Sequence, residues 1–171
     1  MREQPRTSDS LAIRRATPDD TPAIVELLRQ AMPGANELHD PDFWRWKHLN
    51  APFGPSIVMV ASPVDALAAP PIVGVRVFLR KRWWSNRVPV DALRAVDTAT
   101  HPDWQRRGIF ERLNTALLDA ADAEAVPFVF NTPNDKSRAG NLKLGWRDVG
   151  RVGVRAFPLR PAPLAFHAAM A

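Results

Sequence analysis

The sequence predicts a mixed α/β domain in which helices flank a mostly antiparallel sheet, with one parallel strand–helix–strand crossover. Apolar runs at 57–61, 72–79 and 88–100 follow one another without an intervening helix, which is typical of an antiparallel meander. A long amphipathic helix then separates the third run from another at 126–130. Because a strand, a helix and a strand in that order form a crossover, the strands on either side of this helix are expected to be parallel.

The first elements are a strand at 11–16, with Ile13 pointing inward, and a helix that follows directly. Thr17-Pro18-Asp19-Asp20 signals the helix start, because carboxylates there favour the positive end of the helix dipole. Pro33-Gly34 ends the helix, and its apolar stripe has helical spacing: Ile24, Leu27, Leu28 and Ala31. A short aromatic helix at 43–49 is expected next, after Asp40-Pro41-Asp42.

The strand at 72–79 is expected to place alternate residues on one face, namely Val73, Val75, Val77 and Leu79. A turn at 85–87 leads into 88–100. The following helix carries the stripe Ile109, Leu113, Ala116, Leu117 and Ala120. The run at 126–130 is expected to be covered on both faces. A short helix at 137–144, stopped by Gly145, and a final strand at 146–157 complete the prediction.

Length and composition predict one domain, 11–157, between a polar tail at 1–10 and a Pro-rich tail at 158–171. The chain has 171 residues, 46% of them hydrophobic, and no cysteine. Disulfides, thiolate metal sites and a cysteinyl intermediate are therefore excluded. No apolar run approaches the ~20 residues of a membrane span, so we expect a cytoplasmic protein without a membrane partner. The histidines at 39, 48, 101 and 167 lack metal-ligand spacing, so no metal is expected.

The net charge is +5, and the 19 arginines and 4 lysines are scattered along the chain. Such a charge favours anionic partners in general. A phosphorylated cofactor and a nucleic acid are both compatible with it. Because the basic residues do not cluster, nucleic acid ranks last among the partners considered.

The segment 104–113, WQRRGIFERL, lies where a strand ends and a helix begins. The first N–H groups of a helix lack intrahelical partners and carry partial positive charge, which suits a phosphate. Gly108 lets a ligand approach the main chain, and Arg106 and Arg107 add positive charge. The alternative, weighted equally at this point, is that Gly108 only eases a turn and the arginines are solvated.

This segment resembles the signature Q/R-x-x-G-x-G/A of the GNAT superfamily of N-acetyltransferases, matched by Gln105 to Ile109. Residues 99–104 resemble the lead-in V-x-x-P-x-x, residues 11–28 resemble the opening strand and helix, and 126–146 end in the family's L-G-W. The resemblance implies a GNAT fold whose crossover forms the acetyl-CoA site. It also implies that main-chain amides bind the diphosphate, with these residues around it: Gln105, Arg106, Arg107, Gly108, Ile109 and Phe110.

Two departures from the family pattern affect how the chemistry carries over. Phe110 stands where Gly or Ala is usual, so its side chain either turns inward, to join Ile109 and Leu113, or narrows the diphosphate site. The chain has no tyrosine, and Asn141 occupies the position of the Tyr that protonates the leaving thiolate in many relatives. No general acid is therefore carried over from the family.

Asp97 is the first candidate for the base that deprotonates the amine, because regular alternation would place it among apolar Leu93, Ala95 and Ala99. An aspartate tied to an arginine or to the backbone is the alternative. His101 is the second candidate by its titration range, although its place before Pro102 favours a structural role. Deprotonation through water is a third option.

The resemblance also implies contacts along the acyl-CoA arm. A main-chain N–H near Ala99 or Thr100 would stabilise the oxyanion. Asn134 would hydrogen-bond the pantetheine arm, or else simply form a turn. The aromatic helix at 43–49, with Lys47 and His48, falls where the family builds its acceptor pocket, although core packing explains it equally well.

Three functions follow from these observations. The first is an acetyl-CoA-dependent N-acetyltransferase that transfers the acetyl group directly to a small amine, an aminosugar or a protein amine. The second is an acyl-CoA-binding module that has lost catalysis. The third is a nucleic-acid-binding protein that uses Trp83 and Trp84 among flanking arginines to stack on bases.

Overall fold

The computed structural model contains a five-stranded sheet with the strand order β1-β2-β3-β4-β5, and it describes residues 10–34, 39–64, 71–151 and 153. Strands β1 to β4 pair with one another in antiparallel fashion, and β5 runs parallel to β4. The predicted fold class and the crossover are thus confirmed. The strands are β1 Leu11–Arg15, β2 Ile57–Pro63, β3 Gly74–Ser85, β4 Val88–Thr100 and β5 Val129–Phe130.

The described residues contain four α-helices: α1 Thr21–Ala31, α2 Pro41–Trp44, α3 Ile109–Ala123 and α4 Asp135–Lys143. Helix α2 continues into a π-helical turn, Arg45–Leu49, in which the Asn50 N–H donates to the Arg45 carbonyl at 2.9 Å. The chain divides into two compact units, Met1–Asn134, which contains the sheet, and Asp135–Ala171, which contains α4. Within the described residues, no helix combines the length and apolar character needed to cross a bilayer.

Apolar side chains pack on both faces of the sheet. On one face, β2 and β3 pack against α1 through this cluster: Ile24, Leu27, Leu28, Val58, Val60, Val75 and Val77. On the other face, β1 and β2 pack against α3 through Leu11, Ala61, Val73, Ile109 and Leu113. The expectation that Val73 shares a face with Val75 was wrong. Because β3 begins only at Gly74, the alternation of its side chains does not extend to Val73.

Strands β3 and β4 form a long hairpin that reaches beyond the core. Ser85 pairs with Val88, and the two residues between them have φ angles of +49° at Asn86 and +67° at Arg87. Two positive φ angles are typical of a type I′ turn, whose twist matches that of paired strands. The predicted turn at 85–87 is confirmed. Strand β3 is longer than the predicted 72–79, because pairing with β4 extends it to residues outside the apolar core.

Strand β5 differs from its prediction in length and in burial. Only Val129 and Phe130 are paired, both are half-buried, and Phe128 is 38% exposed, so coverage on both faces was wrong. The phenylalanines instead contact Trp83 on β3, with ring centroids 6.1 Å and 5.1 Å away. This aromatic cluster joins the hairpin end of β3 to β5.

The second unit contains α4, which confirms the predicted helix at 137–144, and Gly145 follows it with φ +84°. The final strand predicted at 146–157 is absent from residues 146–151, and its remainder falls mostly outside the described residues. The tails predicted at 1–10 and 158–171 also fall almost entirely outside them, so the domain bounds stay a prediction.

Gly74 allows α3 to approach the sheet, and replacing it with Ala should destabilise the fold. A Cβ at Gly74 would lie 2.5 Å from Ile109 Cγ2 and 3.2 Å from Leu113 Cδ1. We expect Gly74→Ala to lower the free energy of unfolding by about 1–3 kcal/mol, measured by urea denaturation. Gly153→Ala is the matched control, because its Cβ would meet no atom within 4 Å. Equal stabilities of the two variants would contradict the prediction.

Candidate active site

A β-bulge in β4 shapes the centre of the sheet. Val75 pairs with Ala99 and Val77 pairs with Val96, so two residues, Asp97 and Thr98, face the single residue between those valines on β3. Asp97 has φ +43°, in the left-handed region. A bulge of this kind bends the strand and redirects a side chain, and bulges are frequent beside active sites.

The bulge overturns the expected orientation of Asp97. Val96 packs against the core on the α1 face, and Asp97 lies beside Leu28 of α1, so both residues point to the same side of the sheet. Alternation places Leu93 and Ala95 on the opposite side. Asp97 was predicted to share a face with Leu93, Ala95 and Ala99. It shares the α1 face with Ala99, but the prediction was wrong for Leu93 and Ala95, because the extra residue shifts the alternation by one.

Asp97 holds together a chain of buried polar side chains. Its Oδ2 atom accepts hydrogen bonds from Lys47 Nζ at 2.6 Å and from His48 Nε2 at 2.7 Å. The His48 ring is fully buried, its Nδ1 lies 3.0 Å from Ser56 Oγ, and its centroid is 4.2 Å from the ring of Trp44. A carboxylate can only accept, so Nε2 carries the proton toward Asp97, and Ser56 donates to Nδ1 when the ring is neutral.

The surroundings of Asp97 keep its carboxylate ionised. Burial raises the pKa of Asp97, but the hydrogen bonds and charges of His48 and Lys47 outweigh burial, and the net pKa lies below its usual range. A carboxylate with a lowered pKa is a weaker proton acceptor. The role of Asp97 as a base stays a prediction, and its geometry suits it to binding cations.

A small pocket opens beside this cluster on the α1 face, and we call it the Asp97 pocket. Its lining residues are Leu28, Met32, Phe43, Trp44, Lys47 and Asp97. Trp46, which belongs to the aromatic helix predicted at 43–49, is 65% exposed and does not line it. The pocket therefore combines apolar and aromatic walls with one ion pair.

The turn before α3 is exposed and has an unusual backbone. Arg106 has φ +62° and Gly108 has φ +70°, and the Gly108 carbonyl accepts the N–H of Arg112 at 3.1 Å. Left-handed residues at such a turn direct N–H groups toward a shared concavity that suits an anion. Arg107 is held in place, with its guanidinium 4.6 Å from the Trp104 ring and a 3.2 Å hydrogen bond to the Asp103 carbonyl.

Phe110 turns toward the sheet. Its ring lies 4.4 Å from the guanidinium carbon of Arg76, which is 1% exposed and donates to Thr98 Oγ1 at 3.3 Å. Burial lowers the pKa of Arg76 to about 10, so the side chain is still charged at neutral pH. Of the two orientations foreseen, the inward one is observed, with Arg76 as the specific contact. Sequence reasoning missed Arg76, although a lone arginine in the apolar run 72–79 was a usable signal.

Strand β4 has an open edge beyond its pairing with β5. Within the described residues, β5 pairs only with Leu93 and Arg94, whereas β4 continues to Thr100. His101 donates its N–H to Val73, on the β3 side. Because donors alternate along a strand, the Ala99 N–H faces β3 and the Thr100 N–H faces the open edge. Of the two predicted oxyanion donors, the geometry favours Thr100, and both stay predictions.

The structure also shows the local surroundings of three other predicted positions, His101, Asn134 and Asn141. His101 Nδ1 accepts the N–H of Asp103 at 3.3 Å and so caps the turn at Pro102–Trp104, which agrees with the structural role weighed for it. Asn134 is exposed at the end of the first unit. Asn141 is buried in α4, and its carbonyl accepts the N–H groups of Leu144 and Trp146. Across the described ranges, no three His, Asp or Glu side chains are grouped so as to hold a metal ion.

Residues 12–147 match a family model described as an acetyltransferase (GNAT) domain. The chain belongs to the GNAT acetyltransferase family. This membership confirms the resemblance seen in the sequence. No curated protein matches the chain.

Solved structures of acetyltransferases share the GNAT fold with the chain. An aminoglycoside N-acetyltransferase in complex with CoA is 18% identical, with 91% of this chain and 99% of that chain covered and a TM-score of 0.66. Glucosamine-6-phosphate N-acetyltransferase from Arabidopsis thaliana is 13% identical, with 87% and 99% covered and a TM-score of 0.64. A Trypanosoma brucei acetyltransferase is 18% identical, with 86% and 100% covered and a TM-score of 0.62.

Replacing Asp97 with Asn should destabilise the protein at neutral pH, because it leaves Lys47 without its counter-charge. We expect the free energy of unfolding at pH 7 to fall by about 2 kcal/mol. The folded-state pKa of Asp97 is lowered, so its stabilisation is present above the ordinary carboxyl pKa of about 3.9 and is lost as the pH falls through the lowered value. Denaturation of both proteins between pH 7 and pH 3 measures this difference.

Asp91→Asn is the matched control on the same strand. Its side chain is 66% exposed and pairs with Arg82 at the surface. A loss below about 1 kcal/mol is expected for this variant. The prediction fails if Asp97→Asn costs no more than Asp91→Asn at pH 7, or if its cost persists unchanged at pH 3.

Proposed function

We propose that this GNAT-family chain is an acetyl-CoA-dependent N-acetyltransferase that transfers the acetyl group directly to an amine. The exposed turn before α3 carries the proposal. It combines the left-handed Arg106 and Gly108 with the N-terminus of a 15-residue helix, inside the segment that matches the family. Such a turn offers several main-chain N–H groups to one diphosphate.

The diphosphate would bind the N–H groups from Gln105 to Phe110. A Cβ at Gly108 would meet no atom within 4 Å, so the space above this residue is open to a ligand. The stacking of Phe110 on Arg76 supports this assignment, because it keeps the larger side chain away from the turn. The acyl arm would then follow the open edge of β4, with Asn134 as a further contact.

In the proposed transfer, the amine nitrogen attacks the thioester carbonyl carbon and forms a tetrahedral oxyanion. The Thr100 N–H is the donor best placed to stabilise that oxyanion. The C–S bond then breaks, CoA leaves as a thiolate, and the thiolate takes a proton from solvent, since the chain has no tyrosine. The proton lost by the amine passes to water at the Asp97 cluster, because the lowered pKa of Asp97 makes it a poor base by itself.

An acyl-CoA-binding module without catalysis is the second candidate. The observation that favours it is the engagement of Asp97, the most promising base, with both Lys47 and His48. Nucleic-acid binding is disfavoured as a third candidate. Trp83 packs against Phe128 and Phe130, and Arg82 pairs with Asp91, so these side chains already have partners within the protein.

Acetyl-CoA binding and turnover separate these candidates. A concentration of 100 times Kd should raise the free energy of unfolding by about 2.7 kcal/mol, seen as a higher Tm. CoA release is then measured over aminosugars, polyamines, aminoglycosides, amino acids and peptide N-termini. Binding without release for every amine would support the inactive module, and absence of binding would reject both.

Gly108→Ala tests where the diphosphate binds. The new Cβ would project into the proposed site, and we expect acetyl-CoA affinity to fall about tenfold, or by about 1.4 kcal/mol. Gly34→Ala is the control, because Gly34 also has a positive φ, +101°, and open space around it. Equal effects of the two substitutions on affinity would reject this location.

A further inference from the structure

Arg76 is a charged residue buried where the sheet meets the first turn of α3. It lies on β3, on the same face of the sheet as Gly74, whose lack of a side chain lets Ile109 approach the strand. Arg76 is 1% exposed, and burying a charge costs free energy unless neighbouring groups compensate it. Its contacts therefore indicate what this charge contributes.

Contacts with Thr98 and Phe110 orient the Arg76 guanidinium. Its Nη1 donates to Thr98 Oγ1 at 3.3 Å, and its central carbon lies 4.4 Å from the centroid of the Phe110 ring. Thr98 belongs to the bulge of β4, and Phe110 is the second residue of α3. The attraction between a cation and the face of an aromatic ring is strongest where water is excluded. Arg76 therefore holds the Phe110 ring against the sheet.

A Phe110 ring that lacked this contact would have the proposed diphosphate turn within reach. The side chains of a helix lean toward its N-terminus, and the turn lies immediately before α3. A Cβ at Gly108 would meet no atom within 4 Å, so the space above the turn can admit an aromatic ring as well as a ligand. The Gly or Ala that is usual at this position in the family needs no such restraint.

We propose that Arg76 is a positioning residue for acetyl-CoA binding, because it keeps the Phe110 ring out of the diphosphate site. Arg76 acts through Phe110 rather than on the cofactor, and the bulge residue Thr98 orients its guanidinium. Cofactor affinity thus depends on a residue of β3 that lies outside the signature segment 105–110. This inference rests on the proposed function, since it concerns the acetyl-CoA site of that function.

A double-mutant cycle tests the inference, with the Kd for acetyl-CoA measured by calorimetry. Arg76→Met keeps an unbranched side chain in the buried site and removes the guanidinium. We expect this substitution to weaken acetyl-CoA binding about tenfold in the otherwise unmodified protein. In the Phe110→Ala background it should change the Kd by less than about twofold, since no ring is left to enter the diphosphate site.

Arg76→Gln is measured in the same cycle, so that the test does not depend on one variant being folded. Gln removes the charge and keeps a hydrogen-bond donor for Thr98. The same dependence on Phe110 is expected for it, because the missing interaction is again the one between the cation and the ring. Thermal melts establish which variants are folded.

Arg82→Met is the matched control. Arg82 lies on the same strand and also has an aromatic partner, because its guanidinium carbon is 5.5 Å from the centroid of the Phe53 ring. It pairs with Asp91 in the hairpin rather than contacting Phe110. We expect Arg82→Met to keep the Kd for acetyl-CoA within about twofold of that of the unmodified protein.

Crystal structures without acetyl-CoA give a second readout. The Phe110 ring should lie against β3 in the unmodified protein and over residues 105–108 in Arg76→Met. A ring that stays against β3 in the variant would overturn the inference. So would a loss of affinity that is absent, or equal with and without Phe110→Ala, because an equal loss would mean that Arg76 acts only through the stability of the core.

These outcomes are separate from a failure of the proposed function. If the unmodified protein binds acetyl-CoA and the cycle shows no dependence on Phe110, the role of Arg76 is wrong and the acetyltransferase stands. If the unmodified protein does not bind acetyl-CoA, the proposed function is wrong and the positioning role is rejected with it.

Discussion

The single extra residue in β4 determines the arrangement of side chains on both faces of the sheet, at Asp97 on the α1 face and at Arg76 on the α3 face. If β3 and β4 paired regularly, successive side chains of β4 would alternate between the two faces, and Asp97, which follows Val96, would point away from α1. The bulge instead directs Asp97 to the α1 face and Thr98 toward Arg76 on the α3 face. One backbone irregularity thus places a carboxylate at the Asp97 pocket and a hydroxyl at the arginine that contacts Phe110.

Each of these side chains is part of a buried arrangement that offsets the cost of placing charge in the core. Asp97 accepts from Lys47 and from the fully buried His48, and the ring of His48 is fixed in turn by Ser56 and Trp44. Buried charges are tolerated when they are paired and hydrogen-bonded. The π-helical turn Arg45–Leu49 brings Lys47 and His48 to the bulge, and π-turns are frequent at functional sites.

The contact between Phe110 and Arg76, on the α3 face of the sheet, shows how the chain accommodates a departure from the family signature. Phe110 occupies a position where the family usually has a small residue, and Arg76 offers its guanidinium as a surface for the ring. Stacking of a buried arginine on an aromatic ring is attractive, because the cation interacts with the negative face of the ring. The unusual Phe110 and the unusual Arg76 are therefore best understood as a pair.

The sequence by itself determined the order of the elements, the parallel crossover, the turn before α3 and the family, because each depends on local spacing or on a contiguous motif. It also singled out Asp97. Only the tertiary structure decided where Asp97 points and that Phe110 rests on Arg76. It also decided that His48, 49 positions away in the chain, and its neighbour Lys47 meet Asp97. The length and burial of β5 were predicted wrongly, because apolar residues at the edge of a sheet resemble in sequence those of a strand buried on both faces. Such features depend on pairing between distant segments, and a bulge leaves no local periodic signal.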